Sequence, residues 1–290
     1  MKNSICLDKN YSTTRLVTKE RPEIFNNSEN KILSVLFMPA GEGRKGEGGL
    51  RINGYYKKSF QDKPLFSIIT VVLNCEKYIE KTILSVLNQK YDNIEYIIID
   101  GGSKDATVDI IRKYEDYIDY WVSELDNGIY DAMNKGISLA CGQGLLFLNA
   151  GDYFVGNVIS EDVKPPCFLR VKYINFFNTL VDIKVKNYRL GLPYCHQGIM
   201  FENKKILYSL EYKVSSDYDY YLKYGYKYLK MQPSKGYIYF DNNGYNQKNR
   251  KLRDSEIKYI IKRQFGNLYA IIFQLKVFFK NIIRRLFQKS

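Results

Sequence analysis

The chain has 290 residues and a formal net charge of +13, and it contains 27 tyrosines and 16 phenylalanines. This length is enough to bury a full core, and the aromatic content excludes wholesale disorder. The charge implies a polyanionic partner, such as nucleic acid, an anionic membrane surface or a phosphorylated substrate. Five scattered cysteines without a CxxC pair indicate reduced, structural thiols. Because neither a leader segment nor an apolar run of about 18 residues is present, we expect a cytosolic protein.

Residues 1–63 form a largely polar N-terminal extension, in which 32–38 can add one strand to a sheet. The segment 41–49 is rich in glycine and is followed by basic residues, a composition that can cradle a phosphate. It lacks the GxxxxGK[ST] spacing of a P-loop, so we favour a flexible connection. Three basic residues here remain candidates for ligand contact: Arg44, Lys45 and Arg51.

Two continuous apolar runs, at 65–74 and 94–99, are typical of strands that are covered on both faces. Between them, apolar residues recur at helical spacing over 76–89, which predicts an amphipathic helix. A second helix is predicted over 105–117 and a third short strand over 119–123. Strands that alternate with helices in this way indicate an α/β domain.

The second apolar run ends at Asp100, which is followed by Gly101, Gly102 and Ser103. Ligands of α/β sheets collect at the carboxyl ends of strands, and glycines let a nucleotide approach the backbone closely. Asp100 is therefore the first candidate for a ligand contact. The alternative is that Asp100 and Ser103 only cap the following helix.

The next distinctive segment, 124–136, reads ELDNGIYDAMNKG and predicts a helix that opens at the turn around Asn127. Residues three and four apart share a helix face, so Asp131 can act together with Asn134 and Lys135. The alternative is a solvated helix face without a ligand.

A fourth apolar strand is predicted over 144–149, and Asp152 follows it shortly. Asp100 and Asp152 would both lie at the carboxyl edge of one sheet, where one can hold a nucleotide and the other a divalent cation. Mg²⁺ and Mn²⁺ favour oxygen ligands and are commonly shared between carboxylates and substrate phosphates.

Four segments in this order resemble motifs of the glycosyltransferase family 2 proteins, which have the GT-A nucleotide-sugar fold: FSIITVVLN, EYIIIDGGSKDAT, SELDNGIYDAMNKGI and LLFLNAGDYF. The resemblance implies an α/β fold with a mixed, mainly parallel sheet flanked by helices. It also implies inverting transfer of a sugar from a nucleoside-diphosphate sugar. The QxxRW sequence of processive relatives is missing, so we expect transfer of a single sugar rather than polymerisation.

The resemblance also implies roles for individual residues. It implies a nucleotide-sugar pocket formed by Val71, Asn74, Asp100, Gly102, Ser103, Asp131, Asn134, Lys135 and Asn149. The metal motif of the family is usually two aspartates that flank one residue, whereas this chain has Asn149, Ala150, Gly151 and Asp152. Asp152 is therefore the expected charged ligand of Mg²⁺ or Mn²⁺, and strict metal dependence is left open.

Two further motifs lie in 155–246. His196 and Gln197 match a His-Gln pair on the acceptor side of similar sequences, and the alternative is a structural role for the only histidine. Asp217 matches the aspartate of the family's Glu-Asp motif and is implied to be the general base, although Ser216 stands where Glu is usual. The alternative is that Asp217 and Asp219 only form an N-terminal cap and the first-turn acids of the following helix. A carboxylate within reach of the acceptor hydroxyl can accept its proton, which is consistent with inversion.

From residue 251 onward, lysine and arginine alternate with apolar residues, which predicts two basic amphipathic helices. Such helices can lie in a membrane interface, where anionic lipids contribute about 1 kcal/mol per basic residue. The alternative is a helix packed on the catalytic domain with a solvated basic face. The chain thus divides into an extension, a nucleotide-sugar half, an acceptor-side half and a tail, at 1–63, 64–154, 155–246 and 247–290.

The expected function is sugar transfer to a glycan or lipid-linked glycan in cell-surface polysaccharide biosynthesis, on the cytoplasmic face of the cell membrane. A catalytically impaired family member that acts as a partner subunit stays open, because Asn149 and Ser216 depart from the usual pattern. A nucleic-acid-binding protein would also account for the charge. Since no nucleic-acid-binding motif is recognised, we do not expect a nucleic-acid partner.

Overall fold

A seven-stranded sheet forms the centre of the protein. The computed structural model describes residues 4–23, 34–175, 178–227, 229–241 and 249–287. Its strands are β1 (Val17–Thr18), β2 (Gly46–Gly48), β3 (Tyr56–Lys57), β4 (Phe66–Val72), β5 (Ile94–Asp100), β6 (Tyr120–Ser123), β7 (Gly144–Phe147), β8 (Tyr153–Val155), β9 (Cys167–Phe168), β10 (Val171–Ile174), β11 (Leu180–Asp182), β12 (Ile199–Glu202) and β13 (Tyr237–Tyr239). Its helices are α1 (Ile79–Leu87), α2 (Thr107–Lys113), α3 (Ile129–Leu139), α4 (Ser216–Lys223), α5 (Arg250–Phe265) and α6 (Asn267–Phe287).

The strands of the central sheet follow the order β2, β6, β5, β4, β7, β12, β9. The inner strands β6, β5, β4 and β7 run parallel, and antiparallel strands extend both edges. Val72 lies opposite Asp100, and Asp100 lies opposite Ser123, so three strands end at one edge of the sheet. Ligands of α/β sheets bind at such an edge. The mixed, mainly parallel sheet confirms the predicted fold class.

Continuous apolar sequence explains the two central strands. Every residue of β4 and β5 is buried, as expected for strands that are covered on both faces. Ile79, Ile83 and Val86 of α1 face the core, and α3 packs against β4 and β5. The strands and helices predicted over 65–149 are therefore confirmed, with ends that differ by a few residues.

Two predictions for the N-terminal extension are wrong. The segment 41–49 is not a flexible connection, because β2 pairs with β6 and places Gly48 opposite Trp121. A Cβ at Gly48 would overlap the Trp121 ring, and Gly49 has a φ of +108°, so this edge strand requires its glycines. No strand forms in the described part of 32–38. Residues 32 and 33 lie outside the described residues.

The second half of the chain adds a smaller sheet and the helical tail. The smaller sheet has four strands in the order β11, β10, β13, β8. The tail forms two helices, as predicted, and Ile260, Ile261 and Phe273 are buried in one cluster with Tyr218. The tail therefore packs on the preceding part of the protein. Within the ranges that the structure describes, helices long and apolar enough to cross a membrane are absent.

Candidate active site

Two neighbouring cavities lie at the carboxyl edge of the central sheet. The edge cavity, of about 740 Å³, is lined by residues at the ends of β4 and β7, the start of α3 and the segment after β13. The side cavity, of about 760 Å³, is lined by residues around β11, by the short helical turn His196–Gly198 and by the start of α4. The residues that line both cavities are Ile129, Tyr130, Asn149, Gln197 and Phe240. Because the cavities have a wall in common, two ligands can meet there.

The structure brings about half of the predicted site residues to these cavities. Val71, Asn149 and Asp152 line the edge cavity. His196, Gln197 and Asp217 line the side cavity, together with Asn149. The remaining predicted residues line neither of the two cavities: Asn74, Asp100, Gly102, Ser103, Asp131, Asn134 and Lys135. Their roles in donor binding stay predictions.

Asp100 is fully buried and organises the turn after β5. Its Oδ2 accepts hydrogen bonds from the backbone N–H of Gly102 (3.0 Å) and Ser103 (2.9 Å) and from Ser123 Oγ (2.6 Å). The Ser103 hydroxyl also donates to Asp100 Oδ1. The idea that Asp100 and Ser103 cap the next helix is wrong, because α2 begins only at Thr107. Asp100 instead fixes the glycine turn that follows β5.

Asn74 joins the end of β4 to the same turn. Its backbone has a φ of +50°, its N–H donates to Ser103 Oγ at 2.7 Å, and its Oδ1 accepts from the Lys104 N–H at 2.7 Å. The side chain therefore holds two loops together, which fits a structural role beside the predicted role in nucleotide binding.

The polar face of α3 is engaged within the protein rather than solvated. Asp131 accepts a hydrogen bond from the Asn127 N–H at 3.0 Å, and Asn134 exchanges two hydrogen bonds with the Tyr208 backbone. Lys135 lies 2.8 Å from a carboxylate oxygen of Glu124. These contacts fix the helix so that its first residues, beginning at Ile129, line both cavities.

Asp152 is the buried carboxylate of the edge cavity, with 4% of its surface exposed. Its Oδ1 accepts a hydrogen bond from the Asp241 N–H at 2.8 Å. Burial raises the pKa of Asp152 well above its ordinary value, and the nearby Asp241 carboxylate adds to this rise. A cation bound beside Asp152 would stabilise its ionised form.

The donor set of the edge cavity suits a hard divalent cation. Asp152, Asp241 and Asn149 all present oxygen atoms, and Asn149 Oδ1 is buried without a hydrogen-bond partner among the described residues. Within those residues, no group of three His, Cys, Asp or Glu side chains is arranged to hold a metal by itself. A cation here would therefore take further oxygens from a bound phosphate or from water, as Mg²⁺ commonly does.

Asp217 lies in the first turn of α4 and faces the side cavity. Its Oδ1 accepts a hydrogen bond from the Tyr218 N–H at 2.8 Å. Burial raises the pKa of Asp217 to about 7, although the Tyr218 amide and the Arg253 charge oppose the rise. No side chain caps this helix, so that part of the alternative is wrong, but Asp217 and Asp219 are acids of its first turn, as the alternative predicted. A carboxylate with a pKa near neutrality is well matched to general-base catalysis.

Tyr130 connects this carboxylate to α3. Burial raises the pKa of Tyr130 well above its ordinary value, and the charge of Asp217 contributes to the rise. Backbone amides of Ser216 and Asp217 also interact with the Tyr130 hydroxyl. Tyr130 therefore remains a neutral phenol in the wall between the two cavities.

His196 is a buried, neutral imidazole. Its Nε2 lies 2.6 Å from the Tyr208 hydroxyl, and its ring packs against Phe147 and Phe201. Burial lowers the pKa of His196 to about 3. These contacts support the alternative of a structural histidine. The predicted role on the acceptor side stays a prediction, since the imidazole also lines the side cavity.

Sequence reasoning missed several residues of the edge cavity, namely Asp126, Tyr130, Lys213 and Asp241. Asp126 packs so closely on Gly101 that a Cβ on residue 101 would overlap the Asp126 carboxylate. The paired glycines could therefore have indicated that another side chain approaches this turn. Asp241 follows the short strand β13, just as Asp152 follows β7. A search for carboxylates after every short strand would have found it.

The sheet order and the cavities at its carboxyl edge are those of a GT-A glycosyltransferase fold. Staphylococcus aureus TarS in complex with UDP-GlcNAc superposes with a TM-score of 0.52 at 19% identity, and the match covers 68% of this chain and 65% of that chain. The mannosyltransferase PcManGT from Pyrobaculum calidifontis, in complex with GDP-Man and Mn²⁺, gives a TM-score of 0.50 at 18% identity, with coverages of 68% and 63%. At these identities the likeness shows the fold.

Residues 67–208 match the family model of glycosyl transferase family 2. An uncharacterized glycosyltransferase of Mycobacterium tuberculosis is 43% identical over 103 residues, which are 35% of this chain and 39% of that protein. The PGL/p-HBAD biosynthesis glycosyltransferase of Mycobacterium bovis is 29% identical over 177 residues, with coverages of 54% and 68%. The family model, these relatives and the fold together support a family 2 glycosyltransferase, as predicted from the four motifs.

Proposed function

We propose that this protein is an inverting glycosyltransferase that moves a single sugar from a nucleoside-diphosphate sugar to a glycan or lipid-linked glycan. The observation that carries the proposal is the pair of carboxylates in adjoining cavities. Asp152 lies in the edge cavity, Asp217 lies in the side cavity, and Tyr130, Asn149 and Gln197 line both. The edge cavity would take the donor and the side cavity the acceptor.

Asp217 would act as the general base. In its ionised form it accepts the proton of the acceptor hydroxyl while the hydroxyl oxygen attacks the anomeric carbon. The bond from that carbon to the diphosphate oxygen breaks on the opposite face, so the configuration inverts. The neutral Tyr130 fixes the backbone amides of Ser216 and Asp217 and thereby the position of the base. The wall between the cavities holds the reacting groups close together.

Asp152 and Asp241, with Asn149, would hold Mg²⁺ or Mn²⁺ in the edge cavity. When bound, such a cation supplies electrostatic stabilisation to the departing diphosphate. The related fold of PcManGT was determined in complex with Mn²⁺, which supports this choice of cofactor.

The tail suggests where the protein works. Large apolar side chains of α6 are exposed beside its lysines, which suits a helix that lies on an anionic membrane surface. We propose that the protein works on the cytoplasmic face of the membrane, in the synthesis of cell-surface polysaccharide. A catalytically impaired partner subunit is the second candidate, because Asn149 stands where the family usually has a carboxylate.

A panel of nucleotide sugars, offered with Mn²⁺ or Mg²⁺ and then with chelator, tests the proposal. Nucleoside diphosphate release from one donor is expected, and it should be lost with chelator and in Asp152→Ala. Asp162→Ala is the matched control, because Asp162 is exposed and lies outside both cavities. Donor binding is measured on the same panel. If the protein neither binds nor cleaves any donor, the partner-subunit candidate is favoured.

A further inference from the structure

The side cavity continues into a third, basic cavity of about 250 Å³. Asp217, Leu192, Lys186 and Lys280 line both of them. Lys184 adds to the side cavity and Lys276 to the basic cavity. The carboxylate that we assign as the general base thus lies in the same pair of cavities as four lysines.

Two acidic side chains of this region are already paired with arginines. Asp182 already pairs with Arg170 at 2.7 Å, and Asp254 pairs with Arg253 at 2.7 Å. Among the described residues, Lys184, Lys186 and Lys276 form no ion pair. Burial lowers the pKa of Lys276, and the charge of Lys186 lowers it further. Cations that repel one another beside a cavity favour an anionic ligand.

Helix α6 extends this basic region into an apolar surface. Lys276 and Lys280 line the cavities from α6, and Ala270 and Phe273 of the same helix are buried. Seven large apolar side chains of α6 are exposed by 38% or more, at helical spacing: Leu268, Ile271, Ile272, Leu275, Phe278, Phe279 and Ile282. The tail packs on the preceding part of the protein, as the predicted alternative has it, and its exposed surface carries these apolar side chains beside the exposed Lys276 and Lys280. Such a helix suits insertion into a lipid interface.

We propose that Lys184, Lys186, Lys276 and Lys280 form a subsite for a phosphate group of the acceptor, and that this phosphate is carried on a lipid. The inference deepens the proposed function and rests on it for the identity of the side cavity as the acceptor site. A phosphate held by these lysines places the linked sugar hydroxyl next to Asp217. The lipid chain then runs along the apolar face of α6 into the membrane.

Vesicles of phosphatidylcholine, with or without dodecyl phosphate, test the subsite in the full chain by co-sedimentation. Lys184→Glu combined with Lys186→Glu should weaken binding to the dodecyl phosphate vesicles by about tenfold or more, because each lysine contributes to anion attraction. Lys90→Glu combined with Lys164→Glu is the matched control, since both lysines are exposed, lie outside the cavities and give the same change of charge. The control should bind as wild type does. Equal losses in the two double variants, or no loss in either, would overturn the subsite.

Two further arms identify the source of the phosphate. Inorganic phosphate in solution should not displace the protein from the dodecyl phosphate vesicles, and displacement would overturn the lipid-borne source. Phe278→Ser combined with Phe279→Ser should weaken vesicle binding by about tenfold, because buried apolar area is lost. Unchanged binding of that variant would count against the apolar face of α6.

Nucleotide binding keeps the two proposals separable. UDP and GDP, titrated with Mn²⁺ into the wild-type protein, report the donor site alone. If neither nucleotide binds while the lysine double variant still loses dodecyl phosphate binding, the proposed function fails and the anion subsite stands. If a nucleotide binds and the lysine variant loses nothing, the subsite fails and the donor site stands.

Discussion

The two ends of strand β5 carry acidic side chains in different surroundings. Near the amino end, Glu95 lies 2.6 Å from the Arg51 guanidinium, and both side chains are only 2% exposed. At the carboxyl end, Asp100 is bound by hydroxyls and backbone amides, with no ion pair among the described residues. One strand thus joins a neutralised charge at one end to a carboxylate without a cationic partner at the other.

The same contrast extends across the sheet. Burial raises the pKa of Glu95, but the Arg51 charge and the hydrogen bonds from Ser67, Cys141 and Arg51 together outweigh this effect, so the pKa lies below its ordinary value. For Asp152 and Asp217 burial prevails and the pKa is raised, because within the described ranges neither forms an ion pair. We infer that the Glu95–Arg51 pair stabilises the fold, whereas Asp152 and Asp217 are held ready for ligands. Perturbed carboxylates in cavities are typical of functional sites.

The largest expected effect on stability comes from breaking the buried ion pair between Arg51 and Glu95. Arg51→Met leaves Glu95 buried without a counter-charge, which should lower the free energy of unfolding by about 3–5 kcal/mol. Urea unfolding followed by circular dichroism measures this loss. Adding Glu95→Met should recover part of it, because the buried charge is then gone. A double variant that is as unstable as Arg51→Met alone would show that the charge is not the cause.

The pH dependence of transfer probes the carboxyl edge. The pKa of Asp217 is raised to about 7, and the base must be ionised, so kcat/KM should fall about tenfold per pH unit below neutrality. The pKa of Asp217 is higher in the folded state than its ordinary 3.8, so the protonated side chain stabilises the fold. This stabilisation is complete below about pH 4 and is lost as the pH rises through 7. Asp217→Asn should therefore unfold at a higher temperature than wild type at pH 8, with no such gain at pH 4. Equal melting differences at the two pH values would contradict the shifted pKa.

His196 tests whether a second group contributes to that profile. His196→Phe removes the hydrogen bond to the buried Tyr208 hydroxyl and should cost about 1–3 kcal/mol of stability. Because the imidazole has a pKa of about 3, the midpoint of the pH profile should not move. Thermal melts and kcat/KM against pH are the two readouts. A displaced midpoint would assign part of the titration to His196.

The smallest effect should come from an exposed ion pair. Lys113 lies 2.7 Å from Glu80, with side-chain exposures of 64% and 45%. Lys113→Ala should leave urea unfolding unchanged within error, since exposed pairs contribute little. The matched comparison with Arg51→Met separates the effect of burial from that of ion pairing. If Lys113→Ala lowered the free energy of unfolding as much as Arg51→Met does, the difference expected between exposed and buried ion pairs would be contradicted.

Much of the central fold could be predicted from the sequence, because continuous apolar runs report strands buried on both faces. Strand β2 could not be predicted, since Gly46–Gly48 has no apolar pattern and pairs with β6 through the backbone. The pairing of Arg51 with Glu95 joins residues that are 44 positions apart, which local patterns do not reveal.

Only part of the candidate site could be predicted, because sequence motifs identify single positions but not the contacts between distant residues. Motif position identified Asp152 and Asp217, and both line the cavities. Sequence could not show that Ser123, on the neighbouring strand, would help to enclose Asp100. It also could not show which face of α6 remains exposed, because the buried face is chosen by contacts with Tyr212 and Tyr218.

The measurement that tests the account most directly is turnover of the cognate donor by Asp217→Asn beside its donor affinity. Loss of a general base should lower kcat by about 10²- to 10⁴-fold, while the donor dissociation constant stays within about twofold of wild type. That result is expected if Asp217 accepts the acceptor proton outside the donor cavity. A variant that keeps most of its turnover would contradict the assignment of the base and the roles given to the two cavities.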